Sequence, residues 1–236
     1  MRANTAPQGA RAHELTSTDE IRRFFRLRGK HVISFAGFGE LGYEDDGIVE
    51  RIASKVVAAW PPGQMIANCG TLLRVGGEDG IARIYRVARS LGIETTGIHP
   101  GIALDFTATH GVSPDEDAAF FVSDSTWGGL LPDGGPSPTL AMILEISDEL
   151  VVIGGGKHAA DELKAFWQQG KPVRYFPAEM NKRATREWCR RAGVEITDLR
   201  GAAHEAWVGI RPGGSPVPSP GAEHARVDGG GAAWVA

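Results

Sequence analysis

The chain has 236 residues, 42% hydrophobic and 23% charged, ordinary usage for a folded domain and unlike that of a disordered or fibrous protein. Its 25 Lys and Arg against 29 Asp and Glu leave a net charge of -4, which excludes the basic field that nucleic-acid binding needs and points to a small ligand. Cys69 and Cys189, the two cysteines, lack CxxC or Cys/His spacing, so neither a disulfide framework nor a structural zinc site is argued for.

No stretch reaches the roughly 20 apolar residues that span a bilayer, and the polar start lacks the apolar run of a signal peptide. A soluble cytoplasmic protein is therefore expected, with neither nucleic acid nor membrane as a partner. Residues 1–18 lack periodicity and residues 209–236 are rich in Gly, Pro and Ser, so both are expected as flexible tails around one domain over residues 19–208.

In chain order, His31 to Ala36 is a β-branched and aromatic strand that ends in Gly37, Phe38 and Gly39. After Asp46, Ile48, Ile52, Val56 and Trp60 recur at helical spacing until Pro61 and Pro62 stop them. Met65 to Asn68 is a short strand, and a loop through Gly70, Gly76, Gly77 and Gly80 leads into a helix with Ile81, Ile84, Ala88 and Leu91 on one face. Strands follow at Ile93 to Ile98 and Ala118 to Val122. Thr139 opens a brief helix that turns Leu140, Ile143 and Leu144 inward. Leu150 to Ile153 runs into Gly154, Gly155 and Gly156, and the helix after it, to about Gln169, buries Leu163, Phe166 and Trp167. Two further strands, Val173 to Phe176 and Val194 to Thr197, flank a helix containing Trp188.

Apolar strands alternating with amphipathic helices predict a three-layer, Rossmann-like α/β fold with a central parallel sheet, because parallel connections cross over and place helices on both faces. Ligands of such sheets bind at the carboxyl ends of the strands, where the glycine turns lie. A helix start offers unpaired N–H groups and a favourable dipole to an anion, and glycine lets the backbone approach it. The same glycines also serve tight turns without any ligand. Gly37, Phe38, Gly39, Gly76, Gly77, Gly80, Gly154, Gly155, Gly156, Lys157, His158 and Ala159 are the candidate phosphate and nucleotide contacts. No GxxxxGK[ST] occurs, and the Gly37 turn is not a complete GxGxxG.

The run Gly76-Gly77-Glu78-Asp79-Gly80-Ile81, then a helix and Gly97-Ile98-His99-Pro100, resembles the GGxxGLM, helix and GxIP pattern of the Lonely Guy (LOG) or lysine-decarboxylase-like proteins of the SLOG superfamily. Val122-Ser123-Asp124, Glu145, Asp148 and the run Gly155-Gly156-Lys157-His158-Ala159-Ala160-Asp161-Glu162 are similar to its strand, helix and PGGxGTxxE sequence. The resemblance covers about residues 31–180. It implies a homodimer that hydrolyses the N-glycosidic bond of a nucleoside 5′-monophosphate or related nucleotide, without a cofactor. Glu162 takes the place of the motif glutamate, whose carboxylate can stabilise positive charge on the ribose or orient water.

The sequence departs from the pattern where the family has a catalytic arginine and adjacent lysine, since Thr139 and Leu140 stand there. Gly154, His158 and Ala159 replace the motif's proline, third glycine and threonine. Loss of the basic pair favours a second reading, a non-catalytic sensor or carrier of a nucleotide or pterin-type phosphorylated cofactor; retention of Glu162 favours the enzyme.

Asp124, at a strand end, is a candidate to bind ribose or orient water, or else a turn former. Ser125, Thr126 and Trp127 are candidate base or ribose contacts, Trp127 by stacking, although a loop aromatic also packs its own loop. His99 and His110 have the right chemistry for acid-base work, as they do for structural roles. Cys69 is expected as a small core residue rather than a nucleophile. The arginines near Arg183, Arg186, Arg190 and Arg191 read as a solvated helix face. No HxxxH pair or carboxylate cluster at ligand spacing calls for a metal.

Overall fold

A computed structural model describes residues 14–71 and 80–210. Six strands form one parallel sheet in the order β4-β3-β2-β1-β5-β6: β1 His31–Gly37, β2 Met65–Asn68, β3 Glu94–Pro100, β4 Ala118–Val122, β5 Glu149–Ile153 and β6 Val173–Phe176. Among the described residues the helices are α1 Thr18–Arg28, α2 Ile48–Val57, α3 Arg83–Ser90, α4 Leu104–His110, α5 Pro138–Ile146, α6 Lys157–Gln168, α7 Lys182–Ala192 and α8 Gly201–Ile210. This is the three-layer Rossmann-like arrangement that the alternating pattern predicts.

Local chemistry sets the helix ends. Ser17 and Glu20 form a reciprocal capping box at the start of α1, and Gly29 ends that helix in the left-handed conformation. Ser137 caps α5 ahead of Pro138, which is tolerated there because the first-turn N–H has no partner anyway. Asn181 caps α7, and Gly193 closes it in the left-handed region.

The central strands share their side chains between two cores, as the period of two requires. From β1, Val32 and Ala36 join Leu140, Leu163 and Phe166 on one face, while Ile33 and Phe35 join Val49, Ile84 and Tyr85 on the other. Burial on both faces explains why β2 and β5 carry no polar alternation.

A polar chain crosses the first core. The Thr96 hydroxyl donates to Asn68 Oδ1 at 3.1 Å, Asn68 Nδ2 donates to Ser34 Oγ at 2.8 Å, and Ser34 lies 2.6 Å from the Ser147 hydroxyl. All four residues are buried, so Asn68 satisfies groups on the strands to either side of it that would otherwise be stranded.

Three features differ from the sequence expectation. Residues 194–197 form no strand: Gly193 turns the chain back after α7, Ile196 packs against the second core, and Met180 N–H bonds Leu199 O at 2.7 Å, so the segment is tied to the residues before α7 rather than to the sheet. Helices α1, α4 and α8 fall where no element is expected. The last of them includes Gly209, at which the tail is expected to start, because Ala203, Ala206 and Trp207 give α8 an apolar face that its small residues disguise.

Replacing Asn68 by Ala should cost about 1–3 kcal/mol or more, the range for leaving buried hydrogen-bonding groups without partners. Urea unfolding of the variant checks this, and an unchanged midpoint would show that the polar chain carries no net stability.

Candidate functional site

β1 and β5 are neighbours, with Gly37 opposite Ile153, yet the chain leaves them in opposite directions, toward β2 and toward β6. This is the topological switch point, where a crevice opens beyond the carboxyl ends of an α/β sheet. The turns Gly37-Phe38-Gly39 and Gly154-Gly155-Gly156 both lie there.

The floor of the crevice is closed by protein. Tyr43 Oη accepts the Phe38 N–H at 3.0 Å and donates to Ile153 O at 2.9 Å, and burial raises its phenol far above the ordinary range. A Cβ on Gly37 would lie 2.1 Å from that hydroxyl, and one on Gly154 would lie 2.5 Å from the Phe38 ring. Gly155 has φ +126° and faces Ala159 and Ala203, and its carbonyl accepts the Ala203 N–H at 3.0 Å. Gly80 packs on the carbonyls of Phe38 and Gly39. These glycines admit neighbouring protein atoms.

The space beside Gly156 is different. Among the described residues a Cβ there would meet nothing within 4 Å, and Gly156 is the N-cap of α6 with no side-chain hydrogen bond. The N–H groups of Lys157, His158 and Ala159 belong to the first turn, which has no carbonyl partners within the helix. Lys157, with a side chain 74% exposed, places its ammonium 2.7 Å from Asp161 Oδ2. Partial burial, and then the neighbouring Lys157 charge, holds His158 below its usual value.

Glu162 is half-buried on α6, one turn beyond Ala159, and among the described residues its carboxyl makes no hydrogen bond or ion pair. Burial, and then the charge of Asp161, pushes it up to about 8, so it carries its proton at neutral pH. Asp161 itself is committed: its Oδ2 accepts the Leu130 N–H at 3.1 Å as well as the Lys157 ammonium. It thereby fastens the loop of Trp127, Gly128 and Gly129 against α6.

Asp124 is also committed. Oδ1 accepts the Thr126 N–H at 2.8 Å and the Thr126 hydroxyl at 2.7 Å, and Oδ2 accepts the Thr139 N–H at 3.0 Å. Burial works to raise its pKa, but the bonds from Thr139 and Thr126 outweigh it and hold the carboxyl below its usual value. Asp124 thus joins the end of β4 to the start of α5. Ser125 is exposed, and Trp127 is 54% exposed on the same loop. Thr139 and Leu140 are buried and neutral, so no cation stands at the positions of the family's basic pair.

Gly76 and Gly77 lie outside the described residues, as does the His110 side chain. His99 is buried, with Nδ1 3.3 Å from Gly70 O and Nε2 2.8 Å from Glu116 Oε1, and anchors the end of β2. Burial pushes the Cys69 thiol up to about 12, which removes it as a nucleophile at neutral pH. Sequence reading missed Tyr43, for which no signal exists, and Asp161, whose spacing of four from Lys157 on one helix was a readable one. Among the described residues there is no group of three or more His, Cys, Asp or Glu that could hold a metal, and no helix is long and apolar enough to cross a membrane.

No protein-family model matches the chain, and no curated protein matches it. Among solved structures it is similar to the molybdenum cofactor binding protein of the phototrophic bacterium Rippkaea orientalis, at 16% identity and TM-score 0.45, over 77% of this chain and 94% of that one. It is also similar to the molybdenum cofactor carrier protein of Chlamydomonas reinhardtii, at 18% identity and TM-score 0.43, over 77% of this chain and 97% of that one. The Rossmann-like arrangement itself, which the resemblance to the LOG proteins implies, is established by the strand order and the parallel pairing of this sheet.

Proposed function

We propose that the chain binds a phosphorylated small molecule, a nucleotide or a pterin-type cofactor, as a carrier or sensor, with the phosphate on the first turn of α6. The observation that carries this reading is the open, uncapped start of α6 at the switch point, with the Lys157 ammonium beside it. Gly156, Lys157, His158 and Ala159 supply the N–H donors. Gly37, Phe38, Gly154 and Gly155 hold the floor beneath them, and Asp124 and Asp161 hold the loop that brings Trp127 alongside. A homodimer, which the resemblance implies, and the cytoplasm, which the sequence leads one to expect, belong to the same reading.

The state of Glu162 separates binding from catalysis. A carboxylate next to a phosphate repels it, whereas a neutral acid does not and can donate a hydrogen bond. Held protonated to about pH 8, Glu162 is compatible with an anionic ligand but has no charge to offer an oxocarbenium-like ribose at neutral pH. Buried Thr139 and Leu140 supply no cation either. The second reading, hydrolysis of a nucleotide N-glycosidic bond, is favoured by one feature: an acid of this strength can protonate a departing base.

A panel of nucleoside monophosphates, pterin phosphates and the molybdenum cofactor, the group named for the matched structures, distinguishes the two. Carrier function predicts a raised Tm with no released base by chromatography, and about tenfold weaker binding for Lys157→Ala, the scale of one charged hydrogen bond. Base release that disappears in Glu162→Gln would establish the enzyme instead.

The acid itself has a pH signature. Folded Glu162 keeps a proton that the unfolded chain releases above about 4.5, so its contribution to stability is complete below that pH and is lost as pH rises to about 8. The Tm of Glu162→Gln relative to the parent should therefore be constant below pH 4.5, climb between 4.5 and 8, and level off above. A constant difference from pH 4 to pH 9 would mean that Glu162 is an ordinary carboxylate.

A further inference from the structure

Cys189 is half-buried and, unlike Cys69, borders an open groove of about 380 Å³ between α7 and residues 194–199. That volume falls within the range of about 300–1,000 Å³ typical of small-molecule pockets. Val194 and Ile196 give the groove an apolar wall. Arg186 and Glu195 also line it, and neither makes a hydrogen bond or ion pair among the described residues. An unpaired cation and an unpaired anion on one groove complement a ligand that carries both a carboxylate and an ammonium group. Thr185 is an independent sign of a ligand. It lies one turn before Cys189 on the groove side of α7, is 2% exposed, and its hydroxyl has no partner among the described residues. Buried polar groups normally find partners, so a hydroxyl left without one beside a groove has bonding capacity to offer.

We propose that this groove is a thiol–disulfide exchange site, at which Cys189 takes up one half of a small zwitterionic peptide disulfide. The Cys189 thiolate attacks one sulfur of the incoming disulfide. A bond forms between Cys189 Sγ and that sulfur, the ligand's own S–S bond breaks, and the departing thiolate takes the proton that Cys189 released. The incoming disulfide is the oxidant, and no other redox partner is needed. Arg186 holds a carboxylate of the ligand, Glu195 its ammonium, and Val194 and Ile196 its methylene chain. The site is separate from the start of α6 and does not depend on what binds there.

The test is reaction of the full chain with glutathione disulfide and with the uncharged bis(2-hydroxyethyl) disulfide, followed by peptide mass mapping, with free N-acetylcysteine as the reference thiol. The expected adduct is on Cys189 and absent from Cys69. The rate ratio of charged to uncharged disulfide should exceed that of the reference by about threefold or more, the scale of exposed ion pairs, and both Arg186→Ala and Glu195→Ala should return it to the reference value. A parent ratio equal to the reference, a ratio unchanged in either variant, or an adduct on Cys69 in place of Cys189 would overturn the proposal.

Discussion

Two parallel strands that pair side by side must part at their carboxyl ends, and the backbone groups left at the fork need partners. Here one hydroxyl supplies them: Tyr43 takes the Phe38 N–H and gives its proton to Ile153 O, bridging the ends of β1 and β5. The surrounding geometry follows from this bridge. The hydroxyl can enter only because Gly37 has no side chain, and the Phe38 ring can lie over the end of β5 only because Gly154 has none. Helix α8 then packs down through Gly201 and Ala203 onto Gly155. With that floor filled, the start of α6 remains open at Gly156.

The charges on α6 have a clear order of importance. Asp161 is buried and holds two donors at once, so its negative charge is fixed in place by the Lys157 ammonium and the Leu130 N–H. Glu162 follows it in sequence without a partner among the described residues, and desolvation and the Asp161 charge act on it in the same direction. Neutralisation is the cheaper outcome for such a carboxyl, because a second anion beside Asp161, itself partly desolvated, would meet both penalties together. The one exposed cation of this turn is thereby matched to Asp161, and the first turn of α6 does not present two carboxylates to an approaching anion.

The sheet was readable because its strands are apolar on both faces and its helices are amphipathic, and these two periodicities do not depend on distant contacts. Residues 194–197 misled because Val, Ile and Thr have the same β-branched composition in an irregular segment, of which only Ile196 packs against a core, as in a strand. Helix α8 misled for the opposite reason: Gly, Ala and His carry little periodic signal, and its apolar face is defined only by Tyr175 and the α6 surface that it meets. Lys157 and Glu162 were readable in the site because the resemblance marks their run. The protonation of Glu162 was not, since it arises from burial and from a neighbour's charge.

Glycine is the residue whose meaning changed most between sequence and structure. Its absence of a Cβ is equally useful to a ligand and to a packed ring or carbonyl, so a strand-glycine-helix turn has one appearance for two purposes. The atoms standing where the Cβ would be distinguish them. At Gly37, Gly80 and Gly154 these atoms belong to the protein, and a phosphate placed there would have to displace Tyr43, the Gly39 carbonyl or Phe38. At Gly156 no atom of the described residues stands there, and the adjacent helix start has donors to offer. The two strand-end turns at Gly37 and Gly154 thus resolve, among the described residues, into one open helix terminus resting on a closely packed support. The strength of that terminus as an anion site depends on Asp161 leaving the Lys157 ammonium enough freedom to face outward, which its 74% exposure permits.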